Sequence, residues 1–197
     1  MAKTKEEIRI DLIVKAREIL KDKGIDFLTA RKLSDYSGYS VGTIYNQFKS
    51  MDNLVMWENC LTLDELEKCL KTAEMTSDAY VNLNRIIDKF IDFVLENKSL
   101  WFVLYNFHFK DIMDKYAVFY LRRILKIVQL LEGNLYKLFT KVSGKERKVS
   151  TEVLFITLFA LSSLLTREKE FKRLDKKYIV KIMFNTYLAG LSLLSKK

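Results

Sequence analysis

No proline interrupts the 197 residues of this chain, so no point along it is barred from a helix interior. Glycine is nearly as scarce, at six, too few for a many-turned β sandwich or a glycine-rich nucleotide-binding sheet. The expected fold class is all-α. Apolar residues at 49% and aromatics at 13% exclude a disordered chain, and the length suffices for a packed core in one or two domains. The longest dense apolar stretch, Val153 to Leu165, is broken by Thr157, Ser162 and Ser163 and falls short of the roughly 20 residues of a membrane span. The N-terminus, Met1 to Asp11, is charged and lacks an apolar signal core, so a cytoplasmic location is expected. Cys60 and Cys69 lie nine residues apart on one expected helix. That spacing points them to opposite faces, about 13 Å apart along the axis, so they form neither a disulfide nor a shared metal site. No metal or cofactor is expected.

The net charge of +9 favours polyanionic partners without choosing among them. Residues 1–50 hold ten basic and seven acidic side chains, so charge alone does not single out the N-terminus. Pattern does. Ile8, Leu12, Ala16, Ile19 and Leu20 form one stripe of an amphipathic helix that Gly24 stops,. Thr29 is placed to cap a helix from Ala30 to about Tyr36, and Ser40 another from Val41 to about Phe48, with Gly38 between them,. Leu28 with Leu33, and Tyr39 with Ile44, sit at hydrophobic-staple positions for those caps,. Small Ser34 suits a close helix crossing. The unit reads as a helix-turn-helix.

Three features of it are poor choices for stability alone. Arg31 and Lys32 occupy a first helical turn, where the helix dipole disfavours cations,. Gly42 lies inside a helix, and Tyr45, Asn46, Gln47 and Lys49 present hydrogen-bonding groups on and beyond it,. An anionic backbone held close to a glycine-bared helix accounts for all three.

From Ile8 to Trp57 the sequence resembles the N-terminal domain of the TetR family of bacterial transcription regulators, most clearly in the run LTARKLSDYSGYSVGTIYNQFKSMDNL. The resemblance implies DNA contacts from Thr29 and Arg31 and from the recognition-helix residues Ser40, Val41, Gly42, Thr43, Tyr45, Asn46 and Gln47, with Ile44 and Phe48 on the buried side. Ser34 and Ser37 stand where small or apolar residues are usual, and Met51 where the family opens its next helix with a phosphate-binding lysine. Lys49 is the substitute cation, and the amides after Ser50 are a second anion site. The resemblance also implies a homodimer on a near-palindromic operator, and an effector pocket among the middle helices.

Beyond Met51 helices are expected over about 51–74, from a Ser77 cap to Asn97, over 113–142, and finally over 150–166 and 175–195, about nine in all. The expected domains are residues 1–50 for DNA binding and 51–197 for effector binding and dimerisation. Phe90, Phe93, Trp101, Tyr105, His108, Tyr116 and Tyr120 are candidate pocket residues for a hydrophobic or aromatic small molecule, with Asn106 as a further polar group,. Each fits equally as plain core. The last two helices are more apolar than one packing face requires, which suggests a four-helix dimer interface. Its candidates are Leu154, Leu158, Leu161, Ser162, Met183, Tyr187, Gly190 and Leu191. Arg167, Lys169, Lys172, Arg173, Lys176 and Lys177 form a cationic loop between those helices, read as a solvated surface.

The leading reading is a ligand-responsive repressor. No HExxH, P-loop or dinucleotide fingerprint is present and there is a single histidine, so an enzyme is not expected. The alternative is a TetR-like coactivator, or a basic helical module on protein or anionic membrane.

Overall fold

The computed structural model describes residues 3–107, 114–166 and 175–194. Among them are nine α helices and no strand, as the absence of proline predicts. They are α1 (Lys5–Lys23), α2 (Ala30–Ser37), α3 (Val41–Phe48), α4 (Met51–Lys71), α5 (Ala79–Glu96), α6 (Lys98–Tyr105), α7 (Asp114–Leu138), α8 (Gly144–Leu165) and α9 (Lys176–Leu194), with a 3-10 turn at Ile25–Phe27. His108 and most of the cationic loop, including Arg167, Lys169, Lys172 and Arg173, lie outside the described residues, as does the side chain of Tyr116.

Side-chain oxygens set the helix starts. Thr4 and Glu7 form a reciprocal capping box on α1, and Thr29 and Ser40 cap α2 and α3 as expected,. Two starts differ from those expected. Asp78, not Ser77, caps α5, its carboxylate accepting from the amides of Tyr80 and Val81. Helix α8 opens at Gly144 rather than near residue 150, because Ser143 and Glu146 form a capping box ahead of the apolar run.

The chain forms two compact units, residues 1–64 with 98–123 and residues 65–97 with 124–197. The expected boundary after residue 50 coincides with the start of α4, but the unit around the head is larger. Leu12, Ala16, Ile19 and Leu20 of α1, Leu33 of α2, and Ile44 and Phe48 of α3 share one core with Leu54 and Val55 of α4 and Leu100 and Val103 of α6. Beside it, α1 and α4 are joined by a buried ion pair: Arg17 donates to Glu58 Oε1 at 2.7 Å and to the Thr62 hydroxyl at 2.9 Å.

In the second unit, α5, α8 and α9 pack together around Ile86, Phe90, Leu154, Leu158, Val180 and Phe184. The Tyr187 hydroxyl donates to the Ser150 carbonyl, and Lys177 and Lys181 of α9 pair with Asp92 and Asp88 of α5. This packing turns four of the eight dimer candidates inward. Leu154, Leu158, Ser162 and Leu191 are buried inside the unit, Leu161, Met183 and Tyr187 are half-buried, and of the eight only Gly190 is exposed. The outward apolar stripes are Val149, Val153, Ile156 and Leu164 on α8 and Tyr178, Ile182 and Leu193 on α9. An apolar helix has two candidate faces, and here the leucine stripe is the inner one. By length and composition α8 is apolar enough to cross a membrane, with a mean hydropathy of 1.6 over 18 residues. Its capped polar start and buried Thr151, Ser162 and Ser163 are those of a bundle helix.

Replacing Glu58 with Ala leaves the Arg17 guanidinium buried without that carboxylate and is expected to cost about 3–5 kcal/mol, read as a lower urea midpoint with an unchanged slope.

Candidate nucleic-acid interface

The turn between α2 and α3 is closed by short polar side chains. Gly38 ends α2 at φ 76°, its amide donating to the Ser34 carbonyl, a left-handed conformation that favours glycine. The Ser34 hydroxyl then donates to the Tyr39 carbonyl at 2.7 Å, and Ser37 Oγ accepts from the Tyr39 amide at 3.3 Å. The two serines that depart from the family pattern therefore serve the turn itself. Tyr39 extends the connection to α1: its hydroxyl donates to Asp11 at 2.9 Å, and Lys3 donates to both. The Lys3 ammonium and the Tyr39 hydroxyl hold the Asp11 carboxyl below the usual carboxylate range,.

Helix α3 starts at Ser40, whose hydroxyl accepts from the Thr43 amide at 3.1 Å and lies 2.9 Å from the Thr43 hydroxyl. Ile44 and Phe48 face the core, as expected. Ser40, Val41, Gly42, Tyr45, Asn46 and Lys49 are exposed, as are Thr29 and Arg31 at the start of α2, and Thr43 is half-buried. A Cβ built on Gly42 meets only Ser40 Oγ, at 3.7 Å, so the protein's own packing does not require glycine there.

Gln47 is a correction. It is 8% exposed, its amide donates to the Lys5 carbonyl at 3.1 Å, and its own carbonyl accepts from Arg9 at 3.4 Å. It seats α3 on α1 and is not part of the outer face. Spacing along the helix does not decide its side, because it lies between the buried stripe and the exposed one.

Lys49 ends α3 at φ 71°, the one non-glycine residue with positive φ among the described residues, its amide donating to the Tyr45 carbonyl. Ser50 then accepts from the Asn53 amide, and Asn53 returns a hydrogen bond to the Phe48 carbonyl at 2.9 Å. The α3–α4 junction is thereby fixed, with the lysine at its apex.

The run Gly38-Tyr39-Ser40-Val41-Gly42 also spells G-x-S-x-G, the pattern of a hydrolase nucleophile elbow,. Its context is not that of an elbow, which needs a strand ahead of the serine. Here a helix precedes it and the Ser40 oxygen is the α3 cap.

Of the candidate pocket aromatics, Trp101, Tyr105 and Tyr120 belong to the first unit and Phe90 and Phe93 to the second. Trp101 and Tyr120 are buried, Tyr120 with its ring 6.0 Å from that of Phe107, whereas Tyr105 is 38% exposed. Phe90 and Phe93 are buried among the apolar residues of α5. Both cysteines are free thiols, and burial pushes that of Cys60 up to about 11.

Residues 12–56 match the family model described as bacterial regulatory proteins, tetR family. No curated protein matches the sequence. Solved structures with the same fold include a tetR-family transcriptional regulator from Streptomyces coelicolor, 14% identical over 99% of this chain and 83% of that one, with a TM-score of 0.71. FadR from Bacillus subtilis, solved with stearoyl-CoA, is 16% identical over 92% and 96%, with a TM-score of 0.67. BioQ, solved with its double-stranded DNA operator, is 15% identical over 93% and 96%, with a TM-score of 0.68.

Replacing Lys49 with Gly relieves a positive-φ side chain and is expected to stabilise the fold by about 1 kcal/mol, measured by urea unfolding. An unchanged or lower midpoint contradicts that account.

Proposed function

Because the chain carries a TetR-family helix-turn-helix DNA-binding domain over residues 12–56, we propose that it is a cytoplasmic transcriptional repressor, released from a palindromic operator by a hydrophobic or aromatic small molecule. The observation that carries this reading is the bare outer face of α3, where Ser40, Val41, Gly42, Tyr45 and Asn46 are exposed and Gly42 opens the helix surface to close approach. Thr43 and Arg31 read base edges, while Thr29, Tyr45, Lys49 and the amides opening α4 hold phosphates. BioQ, bound to its operator, supports the same use of this fold. FadR with stearoyl-CoA supports an apolar effector, for which Trp101, Tyr105 and Tyr120 are the proposed contacts in the first unit.

The outward stripes of α8 and α9 support a two-fold dimer through a four-helix bundle. Such a dimer sets two recognition helices about 34–36 Å apart, one turn of duplex. Each copy then reads one half-site.

Selection from a random duplex pool is expected to return an inverted repeat with half-sites about one turn apart. With about eight phosphates contacted per dimer, log affinity falls against log salt with a slope near −7. No enriched sequence, or a flat salt response, overturns the reading. Sedimentation is expected to give twice the 23.3 kDa chain mass. Replacing Ile156, which is 63% exposed, with Glu gives the single-chain mass without loss of helicity. A variant that stays dimeric removes this face from the interface.

A further inference from the structure

A cavity of about 200 Å³ opens in the first unit between α1, α4 and Arg123 of α7. Its walls are apolar: Ile10, Ile13 and Val14 from α1 face Trp57 and Leu61 from α4. Ile10 is 54% exposed and Val14 41%. Neither belongs to the stripe that α1 turns to the head core, so the helix carries a second apolar face that the fold leaves uncovered.

The polar groups at the cavity are unevenly satisfied. Arg123 and Asp64 balance each other's charge as an ion pair at 2.9 Å, although Arg123 Nε makes no hydrogen bond of normal geometry. Arg9 is answered less well. Its guanidinium lies 5.7 Å from the Trp57 ring centroid, reaches the Gln47 carbonyl only at 3.4 Å, and stands 3.9 Å from Glu6, whose side chain is 71% exposed. Its Nε is buried and makes no hydrogen bond among the described residues. A buried guanidinium N–H without an acceptor calls for one, and the geometry it matches best is a carboxylate taking two parallel N–H bonds. The space beyond Arg9 exceeds the roughly 150 Å³ that encloses a benzene ring in an apolar protein cavity.

We propose that this cavity is a binding site for a small amphipathic carboxylic acid, its carboxylate on Arg9 in place of Glu6 and its hydrocarbon body on Ile10, Val14, Trp57 and Leu61. The residues lining it include none of Trp101, Tyr105 and Tyr120, and it does not depend on the DNA-binding reading. It lies one contact from the recognition helix, because the same guanidinium touches the Gln47 carbonyl of α3. Charge and shape together select an anion with an apolar tail: a neutral alcohol accepts a hydrogen bond from Arg9 but neither balances its charge nor takes two parallel N–H bonds, and a fully hydrophilic anion leaves the Ile10–Val14 face wet.

The full-length protein is titrated with octanoate, 1-octanol and octyltrimethylammonium by calorimetry and by ¹⁵N spectra of its two indoles, Trp57 and Trp101. Octanoate is expected to bind saturably, at least ten-fold tighter than octanol, and to shift the Trp57 indole signal. Arg9→Gln is expected to lose at least ten-fold in octanoate affinity. Val14→Asp, at an exposed position on which the core does not rest, is expected to do the same. Glu6→Gln is expected to tighten binding about two- to three-fold. Thermal melts identify any variant that fails to fold. Equal affinity for octanol, tighter binding of the cation, an Arg9→Gln variant that binds as the wild type does, a shift confined to Trp101, or no saturable binding each overturns the proposal.

Discussion

The position of α3 depends on a buried charge pair between α1 and α4, away from its exposed face. Arg17 on α1 and Glu58 on α4 meet at 2.7 Å, and Thr62 bridges them, accepting from the guanidinium and donating to the carboxylate. Such pairs contribute little net stability, because removing two ions from water offsets most of their attraction. What the pair does fix is register. Sliding or rotating α1 on α4 by one residue would bury both charges apart. Helix α3 is attached to each of these helices: to α1 through Gln47 and the Lys5 carbonyl, and to α4 through Asn53 and the Phe48 carbonyl. The register of α1 on α4 therefore sets the orientation of α3.

A second layer of polar contacts holds the turn. A helix-turn-helix crosses two short helices closely, and helices of eight residues are too short to persist without tertiary contacts,. Leu33, Ile44 and Phe48 supply the apolar contact, and Ser34, Ser37 and Tyr39 supply the angular restraint. Alanine at 34 or 37 would satisfy the close crossing equally well. The serines add hydrogen bonds to the backbone of Tyr39, and the Tyr39 hydroxyl carries the restraint on to Asp11 and Lys3. The turn is tied to the first helix by side chains that a family pattern built on small apolar residues does not anticipate.

The head is legible in the sequence because its signals are local. Thr29 and Ser40 cap the helices they precede, Gly38 takes the left-handed position, and Ile44 and Phe48 face inward at helical spacing. Features set by distant partners are not legible. Nothing around Gln47 announces that its amide reaches back to Lys5, 42 residues earlier. Arg17 and Glu58 read as ordinary surface charges until α1 and α4 are brought together. In α8 and α9 the obstacle is different. Both are apolar around much of their circumference, so periodicity identifies two faces without ranking them, and the outer stripe through Ile156 and Ile182 is distinguishable from the inner one only by packing. The start of α8 is hidden because the apolar pattern begins well after the capping box at Ser143 and Glu146 that opens the helix.

Two positions on the outer side of the head reverse the choice that folding alone would make. Gly42 is the second residue of α3, where a Cβ meets nothing closer than 3.7 Å, so alanine fits and would be more stable by up to about 1 kcal/mol,. Lys49 takes φ 71°, where glycine fits and lysine is strained by about the same amount,. Together they forgo up to about 2 kcal/mol, set against the roughly 5–15 kcal/mol by which a domain is stable. Among the described residues no packing contact requires glycine at 42, and Lys49, at the other end of α3, is exposed. The two positions stand at opposite ends of α3, one giving room and the other charge, a combination that would suit a polyanion brought close to a helix. Local violations of folding preference at two exposed positions of one short helix are the pattern expected of a functional surface, and they single out this face more sharply than the net charge of the chain does.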